Sequence, residues 1–387
     1  MEPVQLAAIL AAAILLASIV SVELGITVAL VELTVGIALG NVFDIQSQQW
    51  LDLLASFASI VLTFLAGMEV DPSYMRRRLG ATVGIGAVSF AGPFVVASLI
   101  AYLALDWSVK ASLIGGTALS TTSLAVVYAV LVERGLTASD IGKLLMSATF
   151  VTDLLTALAL SLIFIKPSPW FPLFLVISVG LIVALPRVAP WFFGRYGDRV
   201  IEPEIKLVFF CLLVLMVLAA AANGHAVLPA FVLGLVMSNH YSAHREEQKR
   251  LRVVAFAMLT PFFFIKGGLN VSLSAVFSNL GVLGILLAAK MAPKLALVYP
   301  VIRRADRTHA TFGTLLMSTG LTFGTIASIY GLTAGIIDTT QFSLLVTVVV
   351  LSAIVPTAIA ERWFLPTGEG EPRLDRRRAY EASEELV

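Results

Sequence analysis

Asp153 is a carboxylate with no other charge near it. It stands in LLMSATFVTDLLTALALSLIF, and nothing else from Leu144 to Ile165 is charged. A charge at the middle of a bilayer costs about 2.5–3.5 kcal/mol on insertion scales, so such a residue faces the interior of a helix bundle and has work to do there. A carboxylate in that position can hold a proton or a bare cation, and the two exclude one another. Two lysines, Lys290 and Lys294, lie four residues apart in LGILLAAKMAPKLALVYP, beside Pro293. Four residues apart on a helix is one face. An interior lysine needs an acid or a cavity, and Asp153 is the natural partner for Lys294. Lys290 could share that site or reach an interface. Lys266, in FFFIKGGLN near a helix end, reads as snorkelling to the interface. Glu32, in VALVELTVG, either lines a path for the ion or packs against a neighbouring helix. Glu69 and Asp71, in LAGMEVDP, lie at the cytoplasmic end of the third span, where Glu69 is either part of a solvated helix end or a further site residue.

Hard cations want oxygen ligands, and two apolar stretches are unusually rich in them. The first is ASLIGGTALSTTSLAVVYAVL, with Ser120, Thr121, Thr122 and Ser123 at its middle. The second is THATFGTLLMSTGLTFGTIASIYGL, with Ser318, Thr319, Gly320, Thr322 and Gly324. Hydroxyls can satisfy backbone groups where a membrane helix unwinds. Transporters place such discontinuous helices in corresponding positions of two halves, with ions bound between them. Small residues also serve close helix packing, so either stretch alone is ambiguous. Together they are more informative, because each has a charged neighbour: Asp153 follows the first, and Lys294 precedes the second.

These residues need a membrane to sit in, and the composition supplies the case. Of 387 residues, 58% are hydrophobic and 13% charged, and the mean hydropathy is +0.94. Soluble domains are about 45–50% apolar and about 25% charged, so lipid must solvate much of this chain. Cutting at charge clusters and Pro/Gly breaks gives thirteen spans of roughly the 20 residues a crossing needs. They run 4–22, 24–42, 51–69, 79–104, 110–132, 142–165, 171–190, 205–222, 226–239, 252–268, 279–300, 309–331 and 341–364. The first reads as a retained membrane helix, since it lacks a basic leader and a second apolar run follows at once. Residues 368–387 read as a polar tail. Of the 26 Lys and Arg, 21 fall in loops after odd-numbered spans or in the tail, against Lys110 and Lys166 on the other side. That bias puts the N-terminus outside and the C-terminus in the cytoplasm. The fifth and twelfth spans are seven apart and so oppositely oriented, as an inverted repeat of spans 4–6 and 11–13 requires. The net charge of +1 names no acidic or basic partner, and no basic patch with interleaved aromatics suggests nucleic acid. Cys211 is the one cysteine, so no intrachain disulfide forms. HExxH, GxSxG and Walker A patterns are absent from the sequence, which argues against an enzyme.

LTFLAGMEVD resembles the third-helix signature of the monovalent cation:proton antiporter family 2 of bacteria and archaea. ALSTTSLAVVYAVLVERGL resembles its broken helix, and LLMSATFVTDLLTALAL is similar to the helix carrying its ion-binding aspartate. GHAVLPAFVLGLVMS and TPFFFIKGGLNVSL match later signatures in order. The resemblance covers about residues 25–365. It implies an all-α polytopic fold of two inverted repeats with crossed broken helices, a mobile core and a dimerising panel. It divides the chain into panel helices at 1–75, a first core repeat at 76–166, a connector and second panel part at 167–275, a second core repeat at 276–366, and a tail at 367–387. Carried over, Asp153 matches the cation- or proton-binding position, Thr122 and Ser123 the Thr-Ser step, and Lys294 the basic residue facing the acidic pair. The pattern is departed from at three points. Thr152 stands where the family has a first Asp or Asn, Gly320-Leu321-Thr322 replaces an Arg-Gly-Glu, and the nucleotide-binding regulatory domain of one branch is missing.

The expected activity is exchange of Na+ or K+ for H+ across the cell (inner) membrane by a homodimer, with no cofactor. Asp153 is the shared seat. Thr152, Thr122, Ser123 and freed carbonyls serve as ligands, and Thr121, Gly320, Thr322 and Lys294 support the broken helices. A sodium-coupled symporter of organic solutes and an ion channel are the rival readings. The sequence leaves open the cation and whether Lys294 also releases a proton.

Overall fold

A computed structural model describes residues 2–24, 28–68, 72–137, 139–163, 168–197, 199–222 and 226–366. Its secondary structure is helical throughout, with no strand among the described residues. That is what lipid demands, since a helix satisfies its own backbone polar groups. The chain opens with α1 (Pro3–Leu24), α2 (Val28–Val42), α3 (Gln49–Met68), the short α4 (Pro72–Arg77) and α5 (Leu79–Leu103). Then come α6 (Val109–Ser120), α7 (Leu124–Glu133), α8 (Asp140–Ile163), α9 (Phe171–Tyr196), α10 (Pro203–Ala221), α11 (Val227–Ala243) and α12 (Arg245–Val254). A π-turn (Ala255–Leu259) leads into α13 (Thr260–Leu269), followed by α14 (Leu273–Ser278) and α15 (Leu280–Pro293). A second π-turn (Lys294–Val298) joins α15 to α16 (Tyr299–Ala305). The chain closes with α17 (Ala310–Met317), α18 (Thr322–Thr333) and α19 (Thr339–Trp363).

Against the expected thirteen crossings, ten helical segments among the described residues are long and apolar enough to span a membrane. Val28–Val42 and Val227–Ser238 are shorter apolar helices. The expected fifth span is the pair α6 and α7, each too short alone. The tail, with Glu69 and Asp71, lies outside the described residues.

The chain forms two compact units. The first comprises the described residues of Met1–Asp52, Tyr74–Thr156 and Phe264–Leu386; the second, those of Leu53–Ser73 and Ala157–Phe263. In the first unit α5 lies along α6, and α18 and α19 also pack on α6. The α6 start is fixed by Ser108, whose hydroxyl accepts from the Ala111 amide at 3.2 Å. The α19 start carries a capping box between Asp338 and Gln341, at 2.7 and 3.0 Å, satisfying donors a helix leaves open. Also in this unit α2 crosses the end of α13. A Cβ on Gly36 would strike the Ile265 carbonyl, and one on Gly268 the Leu33 carbonyl. Small residues let the two backbones touch there. In the second unit the same device recurs between α3 and α11, where Gly67 meets the Phe231 carbonyl and Gly234 the Phe64 carbonyl. Phe57 packs edge-on against Phe209 with ring centroids 5.3 Å apart. Arg250 bridges Glu202 and Glu204 at 3.2 and 3.3 Å.

Candidate functional site

Two helices break in the first unit, at the hydroxyl-rich stretches. The α6 helix stops at Ser120, and Thr121 turns extended, with ψ 153°. Side chains near the break bond back onto their own helix. Ser120 Oγ donates to the Thr117 carbonyl at 2.9 Å and Thr121 Oγ1 to that of Ala118 at 3.0 Å. Such local bonds compete with helix continuation. The chain resumes as α7, with Ser123 Oγ accepting from the Val126 amide at 3.4 Å. The second break follows Met317 and runs through Ser318–Leu321, where Leu321 takes φ −153° and ψ −76° before α18 starts.

The breaks meet. Thr122 Oγ1 donates to the Met317 carbonyl across 2.9 Å. Ser89 of α5 stands beside both, 3.4 Å from Thr122 Oγ1 and 3.5 Å from the Met317 oxygen. Each broken end points carbonyls at this spot, and aligned carbonyls carry partial negative charge. The Lys294 ammonium supplies the compensation. It donates to the Thr121 carbonyl at 2.8 Å, the Met317 carbonyl at 2.8 Å and Thr122 Oγ1 at 2.9 Å. Lys290 donates to the same Thr121 carbonyl at 3.2 Å. Both lysines are fully buried. Their reach depends on the backbone. The π-turn beginning at Lys294, just after Pro293, shifts the helical register in that stretch.

The expected ion pair between Lys294 and Asp153 is not made. Three acceptors match the three protons of the ammonium, and none of them is a carboxylate. Asp153 is 2% exposed, and its Oδ1 is buried with no hydrogen-bond partner among the described residues. One turn earlier on the same face of α8, Thr149 Oγ1 donates to the Met317 sulfur at 3.6 Å. That contact turns the Thr149–Asp153 face toward the break after α17.

The other expected residues divide. Thr152 is buried, but its hydroxyl donates back to the Thr149 carbonyl at 2.6 Å. Gly320 lies in the second break, where a Cβ would strike the Lys290 ammonium and come within 3.3 Å of Thr121 Oγ1. Thr322 stands at the first position of α18, where the helix resumes after the second break. Glu32 is 1% exposed on α2, with Oε2 unpartnered. Lys266 is buried and pairs with Asp52, a half-exposed residue in the first turn of α3, at 2.8 Å. Cys211 is buried and free.

The sodium/hydrogen exchanger transmembrane family model matches residues 9–364. The chain belongs to that family. It is 28% identical over 287 residues to a protein of Methanocaldococcus jannaschii named probable Na(+)/H(+) antiporter 3, covering 70% of this chain and 73% of that one. It is 24% identical over 365 residues to the putative Na(+)/H(+) antiporter YjbQ of Bacillus subtilis, covering 86% of this chain and 58% of that one. It spans 32% of the length of cation/H(+) antiporter 18 of Arabidopsis thaliana, at 26% identity. Its fold matches the solved sodium proton antiporter MjNhaP1 of M. jannaschii, with a TM-score of 0.66 and 16% identity, over 93% of this chain and 97% of that one. An exchanger-type membrane fold is therefore established, and its multi-pass character with it.

Within this exchanger-family chain, sequence reasoning missed Ser89, Thr149 and Met317. Ser89 is a lone hydroxyl in the apolar run AVSFAGP, and Thr149 sits one turn before Asp153; both left a readable signal. Met317 acts through its carbonyl as well as its sulfur, and no side-chain pattern reports a freed carbonyl.

Proposed function

We infer that the chain exchanges a monovalent cation, Na+ or K+, for protons by alternating access, with Asp153 as the seat both occupants use in turn. One observation carries this reading: a buried carboxylate oxygen without a partner, on the face of α8 turned toward the break after α17. A buried carboxylate in that state needs a proton or a cation to compensate it. Oxygen ligands for a cation stand close in sequence and at the breaks. Hydroxyls that donate, such as those of Thr152 and Thr122, keep lone pairs for a cation, and Ser123 and the unwound backbone add further acceptors.

The lysine geometry supports a one-for-one exchange. Lys294 offers three protons and meets three acceptors; losing one would take its positive charge from two carbonyl ends that face it. A single proton at Asp153 then balances a single cation, and transport carries no net charge. The chain's likeness to antiporters supports antiport as the reaction class. The reading further places the chain as a homodimer in the cell membrane, N-terminus outside and C-terminus in the cytoplasm. The core repeats, 76–166 and 276–366, move past the panel helices.

The test is dissipation of a pH gradient in proteoliposomes by Na+, K+ or Li+, with the membrane potential clamped and unclamped. Exchange by one of these cations at equal rates in both settings is expected. Cation flux with no proton movement would sink the reading.

A further inference from the structure

A second polar feature lies away from Asp153. Tyr74, Arg77, Arg78, Asp140 and Lys143 line a cavity of about 390 Å³ in the first unit. Three cations face one carboxylate there, and that carboxylate is already engaged. Arg78 pairs with Asp140 at 2.7 Å. The Tyr74 hydroxyl donates to Asp140 Oδ1 at 3.2 Å and lies 3.1 Å from its carbonyl. Burial, and then the charge of Asp140, push the Tyr74 phenol up to about 12, so its hydroxyl stays protonated. Arg77 and Lys143 make no ion pair among the described residues.

Position adds the second argument. The candidate spans Leu79–Leu103 and Asp140–Ser161 both begin at this cavity. It therefore opens where two helices enter the membrane, at the depth of lipid headgroups. Basic residues at that level are drawn to anionic lipid.

We propose that this cavity binds a phosphate group, held by Arg77 and Lys143, with the Arg78–Asp140–Tyr74 cluster as its rigid wall. The phosphate belongs to an anionic phospholipid headgroup or to a free phosphate anion. Binding does not depend on the exchange reading, and its test does not use transport.

The test compares the wild-type chain with Arg77→Gln/Lys143→Gln. A control, Arg303→Gln/Arg304→Gln, loses the same charge at another exposed stretch. Lipid retained by the protein is measured by native mass spectrometry from vesicles of equal phosphatidylglycerol and phosphatidylcholine. Thermal stability is read in pure phosphatidylcholine with and without millimolar inorganic phosphate. Wild type and control should retain phosphatidylglycerol preferentially, and the cavity variant should lose that preference about tenfold. This outcome with no phosphate response identifies the lipid. Stabilisation by inorganic phosphate that only the cavity variant loses identifies the free anion. Equal loss in the cavity variant and the control, or no preference and no phosphate response in wild type, overturns the proposal.

Discussion

Lys294 and Thr121 are joined by a 2.8 Å hydrogen bond from the ammonium to the carbonyl at the broken end of α6. The same ammonium serves the broken end of α17 through Met317. One charged side chain thus ties together two helix ends whose carbonyls meet in a dry interior. Replacing Lys294 with Met keeps the length and removes all three bonds. Thr122 still donates to the Met317 carbonyl and Lys290 still reaches Thr121, so what is lost is the charged donor, at about 1.5–3 kcal/mol for each such bond. The expected result is a clearly lower melting temperature in detergent, with cation exchange reduced as well. An unchanged melting temperature would show that the lysine does not hold the crossing.

Gly320 tests the crossing from the other side. Its missing side chain leaves room for the Lys290 ammonium. Gly320→Ala should push that ammonium off the Thr121 carbonyl and cost about 1–3 kcal/mol, as overpacking does. Lys290→Ala removes the colliding group, and Lys294 still serves Thr121. The double variant should therefore recover stability relative to Gly320→Ala. A double-mutant cycle in thermal unfolding measures the coupling, expected at about 0.5–3 kcal/mol. Strict additivity would mean the two residues do not compete for one space.

The breaks were legible because Thr121-Thr122-Ser123 and Ser318-Thr319-Gly320 put hydroxyls and glycine where a plain span carries Leu or Ala. Asp153 was legible because lipid makes any lone charge conspicuous. The partner of Lys294 was not. A lysine pairs by charge with an acid, or by hydrogen bonds with carbonyls, and the sequence shows only the acid. Carbonyls become available only where a helix ends in three dimensions, as at Met317. The π-turn at Lys294 was equally hidden, since a shift of register leaves no pattern of its own beyond the neighbouring Pro293.

Asp153 should separate function from stability. Its Oδ1 has no partner, so Asp153→Asn removes a buried charge without breaking a bond at that atom. The variant should melt at or above the wild-type temperature, in contrast to Lys294→Met. It should also lose pH-dependent exchange and any stabilisation by added Na+ or K+, because a ligand raises stability only where it binds. Melting curves across a cation titration check both parts. A variant still stabilised by the cation would move the seat elsewhere.

Asp306 gives the pH dependence its sign. The residue lies between the segments Leu280–Ala305 and Ala310–Thr333, outside both. Its carboxylate accepts from the amides of Thr308 and His309, each at 3.0 Å, and pairs with the His309 ring at 2.9 Å. Burial works to raise its proton affinity, but the bonds from the His309 side chain and backbone outweigh burial and hold the carboxyl below its usual 3.8. A depressed carboxyl stabilises the fold fully above its unfolded value and loses that contribution as pH falls through the folded value. Asp306→Asn should therefore melt below wild type at neutral pH, by an amount that stays constant down to about pH 4–5 and then shrinks. Melting temperatures of both proteins between pH 7 and pH 3 read the difference directly. A gap that widens on acidification would show that the carboxylate does not lock this turn ahead of α17.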